Sequence, residues 1–101
     1  MGTSVTRDEE IQNFGRSIQG PAQRIESFAE LDDQRLSYWK DVGVWWLYLP
    51  GCGVGNLSNH QVTEHPNGTI TVSPSILVTG HNKGQKVTRH GYLENSVWRE
   101  V

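Results

Sequence analysis

The spacing of apolar residues changes near Leu36. Before that point it is helical. Ile11, Phe14 and Ile18 recur at three- and four-residue intervals and form one stripe. Thr6-Arg7-Asp8-Glu9 reads as a capping box, in which the Thr6 hydroxyl accepts from the Glu9 N–H and the Glu9 carboxylate reaches back to the Thr6 N–H. Asp8, Glu9 and Glu10 then lie where the helix dipole favours negative charge. Gly20-Pro21 stops the run, which predicts a helix over residues 7–19. Ile25, Phe28 and Leu31 repeat the spacing and predict a second, short helical stretch ending at Asp32-Asp33. Beyond Leu36 the residues turn β-branched and aromatic. Val42-Gly43-Val44-Trp45-Trp46-Leu47-Tyr48-Leu49, closed by Pro50-Gly51, reads as a central strand covered on both faces.

The next hairpin can be argued to its register. Val62-Thr63-Glu64-His65 and Thr69-Ile70-Thr71-Val72 flank Pro66-Asn67-Gly68. A three-residue loop sets Pro66 at the first corner of a type I turn and Gly68 in the left-handed region, where glycine has no steric penalty. That register places Val62 opposite Val72 and Glu64 opposite Ile70. Proline cannot donate to a ladder, so Ser73-Pro74-Ser75 is expected to end the strand. Ile76-Leu77-Val78 then makes a short strand, and 80–84 a loop. Lys86 to Leu93 and Val97 to Val101 form a last pair around Glu94-Asn95-Ser96. The expected fold is α+β: an N-terminal helix or two short helices packed on a mainly antiparallel β-sheet or small β-sandwich. Residues 1–101 form a single domain, with a helical, acidic segment over 1–40 and a β-rich part over 41–101.

Composition narrows the function classes. A chain of 101 residues is one domain's worth of material, and its net charge of −2 argues against a sequence-specific nucleic-acid binder driven by phosphate contacts. The first half carries a net −3 and the second +1, with all four histidines in the second. One cysteine excludes an internal disulfide framework. The polar, acidic N-terminus is unlike a signal peptide, and the longest apolar run, residues 42–49, is far shorter than a spanning helix. A cytoplasmic protein without membrane partners is expected. Four tryptophans and three tyrosines exceed what a small core needs, which points to a homo-oligomer.

Three groups of residues could carry chemistry. Gly51, Gly53, Gly55 and Asn56 make a glycine loop whose N–H groups could cradle an anion, with Lys83, Lys86 and Arg89 supplying positive charge. It is neither a phosphate-binding P-loop nor a dinucleotide fingerprint, and a tight strand exit explains the same glycines. Cys52, His60 and His90 offer the thiolate and imidazoles of a zinc shell with one open position, although a buried thiol and surface histidines are the plainer reading. Ser73 or Ser75, with His60 or His90 and a carboxylate such as Glu64 or Asp41, could form a nucleophile–base pair. Turn chemistry around Pro74 accounts for the same serines.

The second half carries Gly43-Val44-Trp45-Trp46, Leu49-Pro50-Gly51-Cys52-Gly53, His60, Asn67-Gly68-Thr69-Ile70-Thr71-Val72-Ser73-Pro74-Ser75-Ile76, His90-Gly91-Tyr92-Leu93 and Val97-Trp98. In this order the motifs resemble a family of small phage and bacterial β-rich proteins, some of which carry an ammonia monooxygenase label. The resemblance covers roughly residues 42–101. It implies a β-rich fold, a metal site in the members richer in cysteine and histidine, and suspected peptidase activity in some. Carried over, it singles out Cys52, His60, Ser73, Ser75 and His90. Two departures are visible here: Cys52 stands alone, and Asn95-Ser96 replaces a glycine turn.

Two functions are therefore expected to compete. The first is a phage-type accessory protein that binds a host protein or a small phosphorylated ligand and blunts a host defence. The second is a peptidase-like hydrolase using Ser/His or a Cys/His-bound metal. Zinc is the one cofactor the residues bring into question.

Overall fold

The computed structural model describes residues 19–101. The predicted helix over 7–19, with its capping box, falls outside these residues up to Ile18, and Gln19 already belongs to a strand. The described chain contains β1 (Gln19–Pro21), β2 (Gln23–Arg24), β3 (Ser37–Asp41), β4 (Val44–Leu49), β5 (Gly53–Asn56), β6 (Gln61–Glu64), β7 (Ile70–Asn82), β8 (Gln85–Glu94) and β9 (Val97–Glu100). They form a five-stranded sheet of order β1-β9-β8-β7-β6 and a four-stranded sheet of order β2-β3-β4-β5. Only β2 and β3 pair in parallel.

This corrects the α+β expectation. Strand makes up 61% of the described residues and helical geometry 4%, so this part of the chain is all-β. No α-helix forms over Ile25–Leu31; there is a single 3-10 turn at Phe28–Glu30. The reason is where the backbone donors go. Gln23 N–H bonds Leu36 O at 2.9 Å and Ile25 N–H bonds Tyr38 O at 3.0 Å, so the chain enters this stretch extended alongside β3, without helical geometry at Ile25. Ile25 is buried while Phe28 is 62% exposed, so their helical spacing does not define one buried face.

The core lies between the two sheets. On β4, Trp45, Leu47 and Leu49 point inward and are buried, while Val44, Trp46 and Tyr48 alternate on the half-buried outer face. Ile70, Val72, Ile76 and Val78 of β7, with Leu93 and Trp98, supply the facing layer. The strand expected over residues 42–49 is present as β4, between β3 and β5. It is shorter than expected, because Val42-Gly43 turn between β3 and β4 with φ values of 48° and 79°, and it is not covered equally on both faces, since Val44, Trp46 and Tyr48 are half-buried.

The β6–β7 hairpin has the expected register, with Val62 opposite Val72 and Glu64 opposite Ile70. Gly68 adopts φ +88° in its turn, and His65 N–H bonds Thr69 O at 2.8 Å beside it. At Pro74 the expectation fails: the strand does not end there. β7 passes through a cis Ser73–Pro74 bond and bulges, so its pairing with β8 jumps from Val72↔Leu93 to Ile76↔Gly91. The bulge absorbs the missing proline donor and lets the strand resume. The loop expected over 80–84 contracts to Lys83-Gly84, whose positive φ values of 50° and 81° suit a two-residue hairpin turn.

The turn where a glycine was expected, Asn95-Ser96, uses φ values of 50° and 60°. Ser96 is buried and bonded on every side. Its Oγ accepts from Ile70 N–H at 2.8 Å, its N–H donates to Ile70 O at 2.7 Å, and its carbonyl accepts from Ala22 N–H at 2.7 Å. These bonds tie three segments together and hold a backbone conformation that a serine rarely adopts.

Candidate functional site

The residues expected to form an anion cradle do something else. Gly53 and Gly55 are strand residues, paired with Leu49 and Leu47 of β4, and they face the five-stranded sheet. A Cβ on Gly55 would stand 2.8 Å from a methyl of Val78, and one on Gly80 of β7 would run into the Cys52 carbonyl. Glycines here let two backbones approach. Gly51 takes φ +74° at the strand exit, and its carbonyl accepts from Asn82 Nδ2 at 3.3 Å. Lys83 and Lys86 are exposed on the β7–β8 hairpin. Arg89, on the opposite face of β8 from Lys86, is 4% exposed and donates to Glu100 Oε2 at 3.0 Å. The three cations therefore do not present a common surface to the glycine segment.

Cys52 lies in this closed region. Its thiol is buried, 3.4 Å from the carbonyls of both Val78 and Val87. Burial pushes its pKa up, against an opposing pull from Arg89, so it stays a neutral thiol near pH 7. Among the described residues no three His, Cys, Asp or Glu side chains are grouped to hold a metal. Cys52, His60 and His90 thus do not make a common zinc shell.

The two histidines do meet, at Ser75. His60 Nε2 is 3.1 Å from the Ser75 carbonyl, and His90 Nε2 is 2.8 Å from Ser75 Oγ. A carbonyl can only accept, so His60 carries its proton on Nε2. Its Nδ1 is buried with no hydrogen-bond partner among the described residues. Ser73 is not part of this line; it pairs with Gln61 across β6 and is exposed. Asp41 lies on the other sheet, and Glu64 is bound by Arg24.

His60 also lines a cleft of about 320 Å³, together with Lys40, Trp45, Leu57, Ser58 and Val62. The β5–β6 connection builds one wall. Leu57 is buried and its N–H bonds Trp45 O at 2.9 Å; Asn56 Oδ1 accepts from Ser58 N–H at 2.7 Å; His60 N–H bonds Leu57 O at 3.0 Å. Asn56 therefore shapes this wall through an Asx turn. Across the cleft, Arg24 and Lys40 both lie over the Trp45 ring, at 5.1 and 5.4 Å from its centroid. Arg24 is committed to Glu64 at 2.8 Å and to Gly68 O at 3.1 Å. That hydrogen bond lowers the Glu64 pKa and raises that of Arg24. Lys40 makes no ion pair among the described residues.

Lys40, Trp45 and Ser58 were not singled out from sequence as ligand contacts. The one local signal was Asn56 two residues before Ser58, the mark of an Asx turn; nothing local places Lys40 across from it. No family model, curated protein or solved structure matches the chain.

Proposed function

We propose that the protein acts by binding a small phosphorylated ligand in the cleft beside Trp45. The observation that carries this reading is Lys40, a cation without an ion-pair partner among the described residues, lining the same cleft as Ser58 and His60. The ammonium supplies charge and the Ser58 hydroxyl a rotatable donor, while Trp45 and Leu57 form apolar walls. A cleft of about 320 Å³ has the volume of a small-molecule site. Capturing a phosphorylated signal would serve the accessory, defence-blunting role that the binding hypothesis expects. The test is a titration of isotope-labelled protein with inorganic phosphate and with nucleoside monophosphates, followed by NMR. Amide shifts centred on residues 57–62 and on the Trp45 indole are expected, and they should vanish in Lys40→Ala. Shifts elsewhere, or an unchanged response in Lys40→Ala, would overturn the reading.

The Ser75–His90 contact favours a second reading, a hydrolase in which His90 takes the Ser75 proton as the hydroxyl attacks. The described residues place no carboxylate on His90 Nδ1, so nothing among them orients the ring as a base. A fluorophosphonate probe decides between the two. Labelling of Ser75 that is lost in His90→Ala supports the hydrolase, and absence of labelling removes it.

A further inference from the structure

The four sheet edges are not alike. Natural edges are blunted by proline, charge or brevity, because an open row of N–H and C=O groups invites another strand. β1 carries Pro21, β2 is two residues long and carries Arg24, and β6 carries Glu64. β5 reads Gly-Val-Gly-Asn, with neither charge nor proline. It pairs with β4 on one side, and no further strand of the described chain pairs with the other.

The outer face beside this edge is apolar. Phe28, Trp39, Trp46 and Val54 line a groove of about 290 Å³, with Asp41 at one end. Phe28 is 62% exposed and packs against Trp39 at 5.9 Å between ring centroids; Val54 is 38% exposed. The exposed Val54 thus joins an unguarded edge to an aromatic groove.

We propose that two copies of the chain associate through β5, antiparallel across a two-fold axis, joining two four-stranded sheets into one of eight. The sequence of β5 is self-complementary in this arrangement. With the axis at Val54, each Val54 faces Val54 of the second copy, and Gly53 faces Gly55. Residues directly opposite in an antiparallel pair lie on the same face. The two valines therefore meet on the outer face, between the two aromatic grooves. The glycines stay on the inner face, where they already pack against β7. Charge does not oppose the pairing. The two Asp41 side chains lie on β3 of each copy, five strand spacings apart, or about 24 Å. That exceeds the screening length of about 8 Å at physiological salt. Neither β1, β2 nor β6 offers a self-pairing free of charge and proline.

Sedimentation equilibrium of the full chain tests this, from about 1 to about 300 μM, the range in which a short interface associates. The average mass should rise from 11.4 kDa toward twice that value. Val54→Lys places two ammonium groups opposite each other and should keep the protein monomeric, with its thermal unfolding at low concentration unchanged. Leu77→Lys, on the other sheet at a residue 63% exposed, should dimerise like the parent. Val54→Cys gives a readout that does not depend on tolerance of a charge: on mild oxidation it should form a disulfide-linked dimer, while Leu77→Cys should not. A parent chain that remains monomeric throughout, whether a peptide or another segment covers the edge or nothing does, overturns the proposal. So does a dimer that survives Val54→Lys, or equal cross-linking by both cysteine variants.

Discussion

The two ends of the β5–β7 contact are built on opposite principles. At one end Gly53, Gly55 and Gly80 bring the sheets into backbone contact, Cys52 seals the gap, and the Arg89–Glu100 pair is shut inside. At the other end Lys40, Trp45 and His60 hold the walls apart, and a cleft remains. Side-chain size alone accounts for much of the difference. A glycine segment suggests an anion cradle on paper, but here Gly53 and Gly55 pair with β4 and their missing side chains admit a neighbouring backbone. The cleft forms where bulky and charged groups, which cannot be close-packed as glycine can, are forced to share a boundary.

The largest expected effect sits at the closed end. Gly80→Ala should lower stability by about 3 kcal/mol or more, because the added methyl meets a main-chain carbonyl and not a movable side chain. Ser58→Ala at the open end should change it by less than about 0.5 kcal/mol. Urea denaturation measures both, and similar costs would break the comparison. Next comes charge. Glu100→Ala leaves Arg89, which is 4% exposed, without this carboxylate and should cost about 3 kcal/mol. Glu64→Ala removes a partner from an ion pair whose members are 40% and 45% exposed and should cost far less than Glu100→Ala.

Thiol labelling sharpens the contrast further. Cys52 should react with a thiol reagent only as fast as the protein unfolds, whereas Ser58→Cys should provide a site that labels at once. The Cys52 pKa is raised above its ordinary 9.0, so the folded state holds the proton more tightly than the unfolded chain. Its contribution is complete below the unfolded pKa and is lost as pH rises through the folded value. Fast labelling of Cys52 under native conditions would mean that the closed end opens. The smallest effect concerns Glu64, whose pKa lies below its ordinary 4.5 because Arg24 donates to the carboxylate. This contribution is present above that ordinary value and is lost as pH falls through the folded one. Glu64→Gln should therefore slightly flatten the acid limb of the stability profile, and added salt should reduce the difference. An acid limb left unchanged by the substitution would show that the bond is not maintained in solution.

Legibility from sequence followed the range of the deciding interaction. The β6–β7 register could be read because Pro66-Asn67-Gly68 contains its own turn geometry, and the alternation around it sets which faces meet. Residues 25–31 misled because their spacing fits a helix, while the chain enters them from β2, whose partner β3 begins about a dozen residues later at Ser37 and holds Ile25 extended through Tyr38 O. Pro74 misled because a proline can lie in a bulge as readily as at a strand end, and the choice depends on β8. Within the candidate site, the approach of His60 and His90 to Ser75 links residues far apart in the chain, and the separation of Cys52 from them depends on where along β7 each one lands.

The amino-acid sequence by itself determined the existence of the β4 strand and the tight turn at Gly68, because these depend on local backbone preference and on the period of side chains along one element. Tertiary structure alone decided that the glycines close a gap, that Lys40, Ser58 and His60 share a cleft, and that β5 lies at a sheet edge among the described residues. Each of these is a relation between two sheets, and no period or turn signal within a single segment records how far apart two sheets will stand.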